Sequence, residues 1–190
     1  RRRRRPAVGL IGLLESLAAL VRDLRSPPRP NAASWLWLSL LILLADQVSK
    51  WLAVTHLEYL TPVPVIDGFW NWTLVHNYGA AFSFLSDAGG WQKWFFAGLA
   101  AAVSVVMSLW LRLTPRADWR NALPLALVVA GAVGNLIDRL RFGYVVDFVD
   151  WYVGKHHWPA FNVADSAIVA GAVLLVLFSF KPATPAAKAG

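Results

Sequence analysis

The chain of 190 residues has no cysteine, only one methionine and few charged side chains. Without thiols it has no disulfide, no cysteine nucleophile and no cysteine-based metal site. Only 15% of its residues are charged whereas 57% are hydrophobic, which is too apolar for an ordinary soluble domain of this length. The composition therefore predicts a small integral membrane protein.

Four apolar stretches approach the roughly 20 residues that a helix needs to cross a bilayer. They cover Trp35–Val54, Trp94–Leu111, Ala122–Leu140 and Ala160–Phe180. We therefore expect an all-α membrane domain with four transmembrane helices over residues 34–181, followed by a short tail over residues 182–190. Small residues four apart in the third and fourth stretches predict close approach of those two helices to their neighbours.

The basic residues are distributed unevenly around these stretches. Thirteen lie before the first stretch, between the second and third, or after the fourth, and five lie elsewhere. The positive-inside rule then predicts that both termini and the middle loop are cytoplasmic. The run Arg1 to Arg5 indicates this topology more simply than it indicates nucleic-acid binding, and we expect no nucleic-acid partner.

Residues 1–33 form an extension with a leucine stripe at helical spacing, which includes Leu10, Leu13, Leu14 and Leu17. This pattern favours an amphipathic helix on the cytoplasmic membrane surface, held also by the arginines against anionic lipid. The segment Ser26-Pro-Pro-Arg-Pro30 would end this helix and serve as a linker. A poorly ordered extension without a role fits the pattern as well.

The segment between the first two spans is rich in β-forming residues on both sides of a turn signal, Asp67-Gly68. Prolines 62 and 64 would confine a first strand there to the edge of a sheet. We expect a small β-rich element on the outer, periplasmic face of the membrane. Trp70, Trp72 and Trp91 would then lie at the membrane–water interface, where indole rings are enriched.

Two aspartates, Asp147 and Asp165, stand at the ends of apolar stretches. An ionisable side chain at membrane depth is costly and by default marks a functional site. Two neighbouring carboxyl groups can share one proton and so supply a general acid and a general base together. Asp150 is three positions from Asp147 on a predicted strand, so we expect it to face the other way, towards solvent.

The other polar residues within the spans are more readily explained as structural. Asp46 and Lys50 are four apart and suit an ion pair within one helix. For Asp138 we expect pairing with the adjacent Arg139 and Arg141. Ser49 precedes Lys50, which leaves serine–lysine chemistry open. The four histidines lack the H-E-x-x-H spacing, so we expect no metal.

Five blocks resemble, in order and spacing, the motifs of bacterial lipoprotein signal peptidases, the signal peptidase II family. The resemblance covers about residues 34–181. The blocks are Asp46-Gln-Val-Ser-Lys50, Asn77-Tyr-Gly-Ala-Ala-Phe-Ser83, Gly131-Ala-Val-Gly-Asn-Leu-Ile-Asp-Arg139, Gly143-Tyr-Val-Val-Asp-Phe148 and Phe161-Asn-Val-Ala-Asp-Ser166.

The resemblance implies a four-helix inner-membrane aspartic endopeptidase that acts without metal or cofactor. Its substrates would be diacylglyceryl-modified prolipoproteins, cut just before the lipidated cysteine at the periplasmic face, and we expect a monomer surrounded by membrane lipid. The implied catalytic residues are Asp147 and Asp165. The implied supporting residues, some of which we expect to orient the substrate backbone, are Asp46, Lys50, Asn77, Gly131, Asn135, Asp138, Arg139 and Asn162.

Two alternatives from other functional classes of protein remain open. A proton-coupled or ion-coupled transporter also uses intramembrane aspartate, asparagine and arginine, although the chain has no inverted repeat. An adaptor or assembly protein would explain the tryptophans and the interfacial helix but would leave the buried carboxyl groups without a purpose. Cleavage of a lipidated precursor distinguishes the peptidase from both.

Overall fold

The computed structural model describes residues 10–79 and 89–180. Arg1 to Arg5, the tail over residues 182–190 and the second half of the Asn77–Ser83 block lie outside these ranges. Within them are five α-helices: α1 Leu10–Arg25, α2 Leu36–His56, α3 Gln92–Leu113, α4 Trp119–Arg141 and α5 Val163–Ser179. Four β-strands accompany them: β1 Val63–Ile66, β2 Trp70–Asn77, β3 Val145–Val153 and β4 His156–His157.

Helix α1 confirms the helix predicted in the extension, and it ends at Arg25, just before the proline-rich segment. Its position relative to a membrane stays a prediction. A short 3-10 turn over Ala32–Trp35 leads into α2, and the Ala32 N–H donates to the Thr114 carbonyl at 2.8 Å. This bond ties the start of α2 to the loop between α3 and α4.

Three helices within the described residues are long and apolar enough to cross a membrane: α2 with the turn before it, α3 and α4. Helix α5 is apolar but has 17 residues, about 26 Å at 1.5 Å per residue. It starts at Val163 and not at the predicted Ala160, because Phe161 pairs with Val149 of β3 and Asn162 caps the helix. The four-span count therefore stays a prediction.

The helices are arranged with their polar side chains inside and many large apolar side chains outside. Helix α2 buries Asp46 and Lys50, whereas Trp37, Leu41 and Trp51 on the same helix are more than half exposed. Apolar side chains exposed in this way are unfavourable in water, whereas the hydrocarbon of a bilayer accommodates them. The burial pattern therefore agrees with a membrane-embedded protein.

Helix α4 is the central helix, and its contact with α5 depends on glycine. A Cβ atom at Gly171 would lie 2.7 Å from Val128 Cγ2 and 2.8 Å from the Pro124 carbonyl oxygen. At Gly131 an added Cβ would overlap the Ala164 carbonyl oxygen and Ile168. The predicted close approach of the third and fourth apolar helices is thus confirmed, and Gly131 serves that contact.

The four strands form one antiparallel sheet in the order β1-β2-β3-β4. The turn between β1 and β2 contains Gly68 with φ of 80°, a conformation that glycine adopts without strain. Strand β1, which contains Pro64, is an edge strand, as the prolines predicted. The β-rich element is confirmed, whereas its place on the outer face of a membrane stays a prediction.

The expectation for Asp150 was wrong, because this carboxylate is buried and not solvent-facing. The physical reason lies in its neighbours on β2 and β4. Asn71 and Thr73 of β2 donate to Asp150 at 3.2 and 3.1 Å, and His157 of β4 contacts it at 2.7 Å.

Candidate active site

The N-terminus of α5 positions Asp165. Asn162 is the N-cap residue, and its side-chain oxygen accepts from the Asp165 backbone N–H at 2.8 Å. In return, Asp165 Oδ2 accepts from the Asn162 backbone N–H at 3.2 Å. This reciprocal capping box satisfies two otherwise unpaired donors at the helix start and holds the Asp165 carboxyl group at the end of the helix.

Asn162 also contacts the other aspartate. Its side-chain Nδ2 donates to Asp147 Oδ1 on β3 at 2.7 Å. One fully buried residue therefore donates its backbone N–H to Asp165 and its side-chain N–H to Asp147. The structure thus places the two aspartates predicted to be catalytic around a single asparagine.

Two further asparagines complete the contacts of this pair. Asn77 at the end of β2 donates to Asp147 Oδ2 at 3.0 Å, and Asn135 of α4 donates to Asp165 Oδ1 at 2.7 Å. Each aspartate therefore accepts two N–H groups, all from uncharged donors. The amide nitrogens of these asparagines hold the carboxyl groups, and their expected role in orienting the substrate stays a prediction.

A second cluster of carboxylates lies beside the first and contains a cation. Lys50 Nζ is 2.9 Å from Asp46 Oδ2 and 2.9 Å from Asp138 Oδ2, and all three side chains are buried. The predicted pair of Asp46 and Lys50 is confirmed. The predicted partners of Asp138 were wrong, since Lys50 of another helix takes the place expected of Arg139 and Arg141.

The lysine cluster also fixes backbone of the neighbouring elements. Asp46 Oδ1 accepts from the Ala164 N–H in the first turn of α5 at 2.9 Å. Asp138 Oδ2 accepts from the Val146 N–H, next to Asp147, at 3.1 Å. The Asp46 and Asp138 side chains therefore anchor the two chain segments that carry Asp165 and Asp147.

Lys50 connects the two clusters through Asn135. Its ammonium donates to Asn135 Oδ1 at 3.0 Å, while Asn135 Nδ2 donates to Asp165. An amide whose oxygen is bound to a cation must present its nitrogen on the other side. Ser49 donates instead to the Asp46 carbonyl at 2.8 Å, so the two residues of the serine–lysine alternative do not bind each other.

Gln47 is a member of the lysine cluster that sequence reasoning missed. Its Nε2 donates to Asp46 Oδ2 and to Asp138 Oδ1, both at 3.1 Å. A signal was present, because Gln47 is an uncharged polar residue next to Asp46 within an apolar span. Its contact with α4, however, requires knowledge of which helix faces α2.

Arg139 is buried beside the aspartates without donating to either of them. Its guanidinium donates to the Gly79 carbonyl at 3.1 Å and to the Asn135 carbonyl at 3.4 Å, and lies 5.3 Å from the centre of the Phe96 ring. The positive charge stabilises anionic states of the site from a short distance. Arg139 also anchors the chain at Gly79.

A cavity of about 280 Å³ opens at this point between α3, α4 and α5. Its polar lining consists of Asn77, Asn135, Arg139 and Asp165. The opposite walls are apolar and include Phe96, Leu99, Val103, Val128 and Ile168. Such a cavity suits a substrate with a polar reacting group attached to long apolar chains.

The environment of Asp147 favours its protonated form. Burial is the main cause that raises the pKa of this carboxyl group well above its ordinary value, and the nearby Asp165 carboxylate adds to it. The hydrogen bonds from Asn77 and Asn162 and the charge of Lys50 act in the opposite direction but do not outweigh burial. The site can therefore hold a proton on one carboxyl group while the other is ionised.

Comparisons with known proteins identify the relatives of this chain. A family model described as Signal peptidase (SPase) II matches residues 38–181. A lipoprotein signal peptidase of Xanthomonas campestris pv. campestris (strain 8004) is 56% identical over 163 residues, which are 86% of this chain and 98% of the relative. One of Xylella fastidiosa (strain 9a5c) is 57% identical over 164 residues, with 84% and 98% covered.

Two solved structures are similar in fold. A bacterial membrane enzyme structure determined by the in meso method at 2.3 Å resolution has a TM-score of 0.69 and 27% identity, covering 83% of this chain and 93% of that one. Another, at 1.9 Å resolution, has a TM-score of 0.68 and 29% identity, with 78% and 93% covered.

The chain therefore belongs to the signal peptidase II family and is an aspartic-type signal peptidase of the membrane. The transporter and adaptor alternatives are set aside by this membership.

Proposed function

From this family membership and the geometry around Asn162, we propose that the chain removes signal peptides from diacylglyceryl-modified prolipoproteins by means of Asp147 and Asp165. The single observation that carries the proposal is that Asn162 donates to both carboxyl groups beside a cavity with one polar and one apolar side. The names of the relatives support lipoprotein precursors as the substrate class.

In the proposed reaction the two aspartates share one proton. The ionised carboxylate takes a proton from water, and the water oxygen forms a bond to the scissile carbonyl carbon. The protonated carboxyl group donates to the carbonyl oxygen as charge develops there. When the C–N bond breaks, a proton passes to the amine, so that the signal peptide leaves with a new carboxyl group and the lipidated cysteine with a free amine.

Uncharged hydrogen-bond donors suit two carboxyl groups that share one proton. A cation in direct contact would hold a carboxyl group in its ionised form, whereas amide N–H groups orient both the ionised and the protonated form. The apparent pKa values of such a pair belong to the pair and not to one member. Arg139 stabilises the anionic states from nearby, and the apolar walls of the cavity accept the acyl chains or the signal helix.

For the orientation we propose cytoplasmic termini and an active site that opens towards the periplasm of a bacterial inner membrane. The support is the thirteen-to-five distribution of basic residues. Reporter domains fused within residues 112–120 should read cytoplasmic, and one inserted at Lys155 should read periplasmic. A cytoplasmic signal at Lys155 would contradict this orientation.

The function is tested with purified protein and a precursor that carries the diacylglyceryl group on its cysteine. We expect release of the signal peptide with a new amino terminus at the lipidated cysteine. The matched control is the same precursor with serine in place of that cysteine, which cannot be lipidated and should stay intact. Equal cleavage of both precursors, or of neither, would overturn the proposed specificity.

A further inference from the structure

The buried Asp150 and the half-exposed His157 form a contact that the proposed reaction does not use. His157 Nδ1 donates to Asp150 Oδ1 at 2.7 Å, and the Tyr152 ring stacks on the imidazole at 5.1 Å between ring centres. Asn71 and Thr73 donate to the other carboxylate oxygen. Burial opposes the charge, but these hydrogen bonds outweigh it, so that the pKa of Asp150 is lowered.

This contact closes the β3–β4 hairpin directly before the N-cap of α5. His157 lies opposite Tyr152 in the two-residue strand β4. The next residue, Trp158, donates its N–H to the Trp151 carbonyl at 2.7 Å. The chain turns back along β3 from this point, and only five positions separate His157 from Asn162.

After Trp158 the chain pairs with β3 again at Phe161, directly before the cap. The Phe161 N–H donates to the Val149 carbonyl at 3.1 Å, and the Val149 N–H donates to the Phe161 carbonyl at 2.9 Å. The Phe161 and Trp151 rings meet edge to face at 4.9 Å. The pairing of Phe161 with β3 fixes the position of the next residue, Asn162, which contacts both aspartates.

We infer that Asp150 and His157 are positioning residues, which fix the β3–β4 hairpin, and with it the return of the chain to β3 at Phe161, and thereby hold Asn162 between Asp147 and Asp165. The inference rests on the proposed function of the two aspartates. Its physical basis is that a buried carboxylate with three donors has one favourable arrangement. Without the His157 donor, the buried Asp150 carboxylate lacks one of its three hydrogen bonds. The β3–β4 hairpin then relaxes.

The variants of His157 differ in whether they keep a hydrogen-bond donor at the position of Nδ1. The amide nitrogen of asparagine can take the place of imidazole Nδ1, whereas glutamine places its amide near the other ring nitrogen. His157→Asn therefore keeps the donor to Asp150, and His157→Phe keeps the ring for Tyr152 but removes the donor. His156→Gln is the matched control, because His156 is the neighbouring residue of β4 and is exposed as well.

The experiment compares these variants in cleavage of the lipidated precursor, per folded enzyme. We expect His157→Phe to lower kcat about tenfold with little change in KM, because small displacements of catalytic groups are costly and substrate contacts are unchanged. His157→Asn should recover most of the rate, and His157→Gln should recover less. Asp150→Asn should add little to His157→Phe, since both changes disrupt one contact.

Hydrogen exchange of the full-length protein gives a second readout that does not require cleavage. Amides of Phe161, Ala164 and Asp165 should exchange faster in His157→Phe than in His157→Asn or His156→Gln. Wild-type rates and unchanged exchange in His157→Phe would overturn the inference. A wild-type protein without any cleavage would overturn the proposed function instead, and the exchange pattern would still decide whether the pair holds the cap.

Discussion

Two pairs of carboxyl groups lie side by side in this protein, and they differ in what donates to them. Asp46 and Asp138 share the Lys50 ammonium at 2.9 Å each, whereas Asp147 and Asp165 accept from asparagine side chains and a backbone N–H. A contacting cation holds carboxylates ionised. In the proposed reaction, the pair without a contacting cation is the one that exchanges a proton.

The largest effect is expected when Asp147 or Asp165 can no longer ionise. Asp147→Asn and Asp165→Asn should each lower cleavage by at least about a thousandfold, nearly as much as the double variant, because the two residues act as a unit. The measurement is cleavage of a lipidated precursor by folded variants. Asp67→Asn in the exposed β1–β2 turn is the control and should retain activity; substantial turnover by Asp147→Asn would contradict the assignment.

The second prediction removes the cation from the first pair. Lys50→Met keeps the length of the side chain but leaves Asp46 and Asp138 buried without a counter-charge, which should cost about 3–5 kcal/mol of unfolding free energy. Unfolding in detergent measures this loss. Lys155→Met in the exposed β3–β4 turn should leave stability unchanged. If Lys50→Met is as stable as the wild type, the lysine is not what stabilises this pair.

A third prediction follows from the influence of Asp165 on Asp147. Asp165→Asn removes one of the causes that raise the pKa of Asp147, so this pKa should fall. In the wild type the raised pKa means that stability from protonated Asp147 is present at low pH and is lost as the pH rises through the raised value. In Asp165→Asn that loss should occur at lower pH.

Infrared titration of the carboxyl band checks this shift, with Asp147→Asn used to assign the band. Asp46→Asn should move it less, because that carboxylate belongs to the lysine-bound pair. An Asp147 pKa that stays unchanged in Asp165→Asn would show that the two carboxyl groups do not interact.

The smallest expected effect concerns the glycine that brings α4 to α5. Gly131→Ala would place a methyl group against the Ala164 backbone and Ile168, which should cost about 1–3 kcal/mol. Gly98→Ala on α3 is the control, because an added Cβ there meets nothing within 4 Å and should stabilise the helix by about 0.5–1 kcal/mol. Thermal unfolding of both variants tests whether the close packing of α4 against α5 stabilises the protein.

Much of the fold followed from local patterns along the chain. Apolar stretches predicted α2, α3 and α4 to within a few residues, and the Asp67-Gly68 turn and Pro64 predicted the first hairpin and its edge strand. These features depend on neighbouring residues only. The start of α5 was misplaced by three residues because the pairing of Phe161 with distant Val149 decides it.

The site was predictable in its membership but not in its contacts. Asp147 and Asp165 stood out because carboxyl groups are rare at membrane depth, although their catalytic role stays a prediction. The burial of Asp150 depends on Asn71, Thr73 and His157 of the neighbouring strands, which periodicity in β3 cannot reveal. The role of Gln47 depends on which helix faces α2.

By itself, the sequence determined that this protein is an apolar chain with a few buried polar residues, a β-hairpin and a charge distribution that indicates topology. These properties are set by composition and by spacing along one helix or strand. Only the tertiary structure decided that Lys50 neutralises Asp138, that Asn77 and Asn135 hold the aspartates, and that Asn162 joins Asp147 to Asp165. The reason is that hydrogen bonds and ion pairs of this kind depend on distances of about 3 Å between atoms of different elements, and spacing along the chain does not specify those distances.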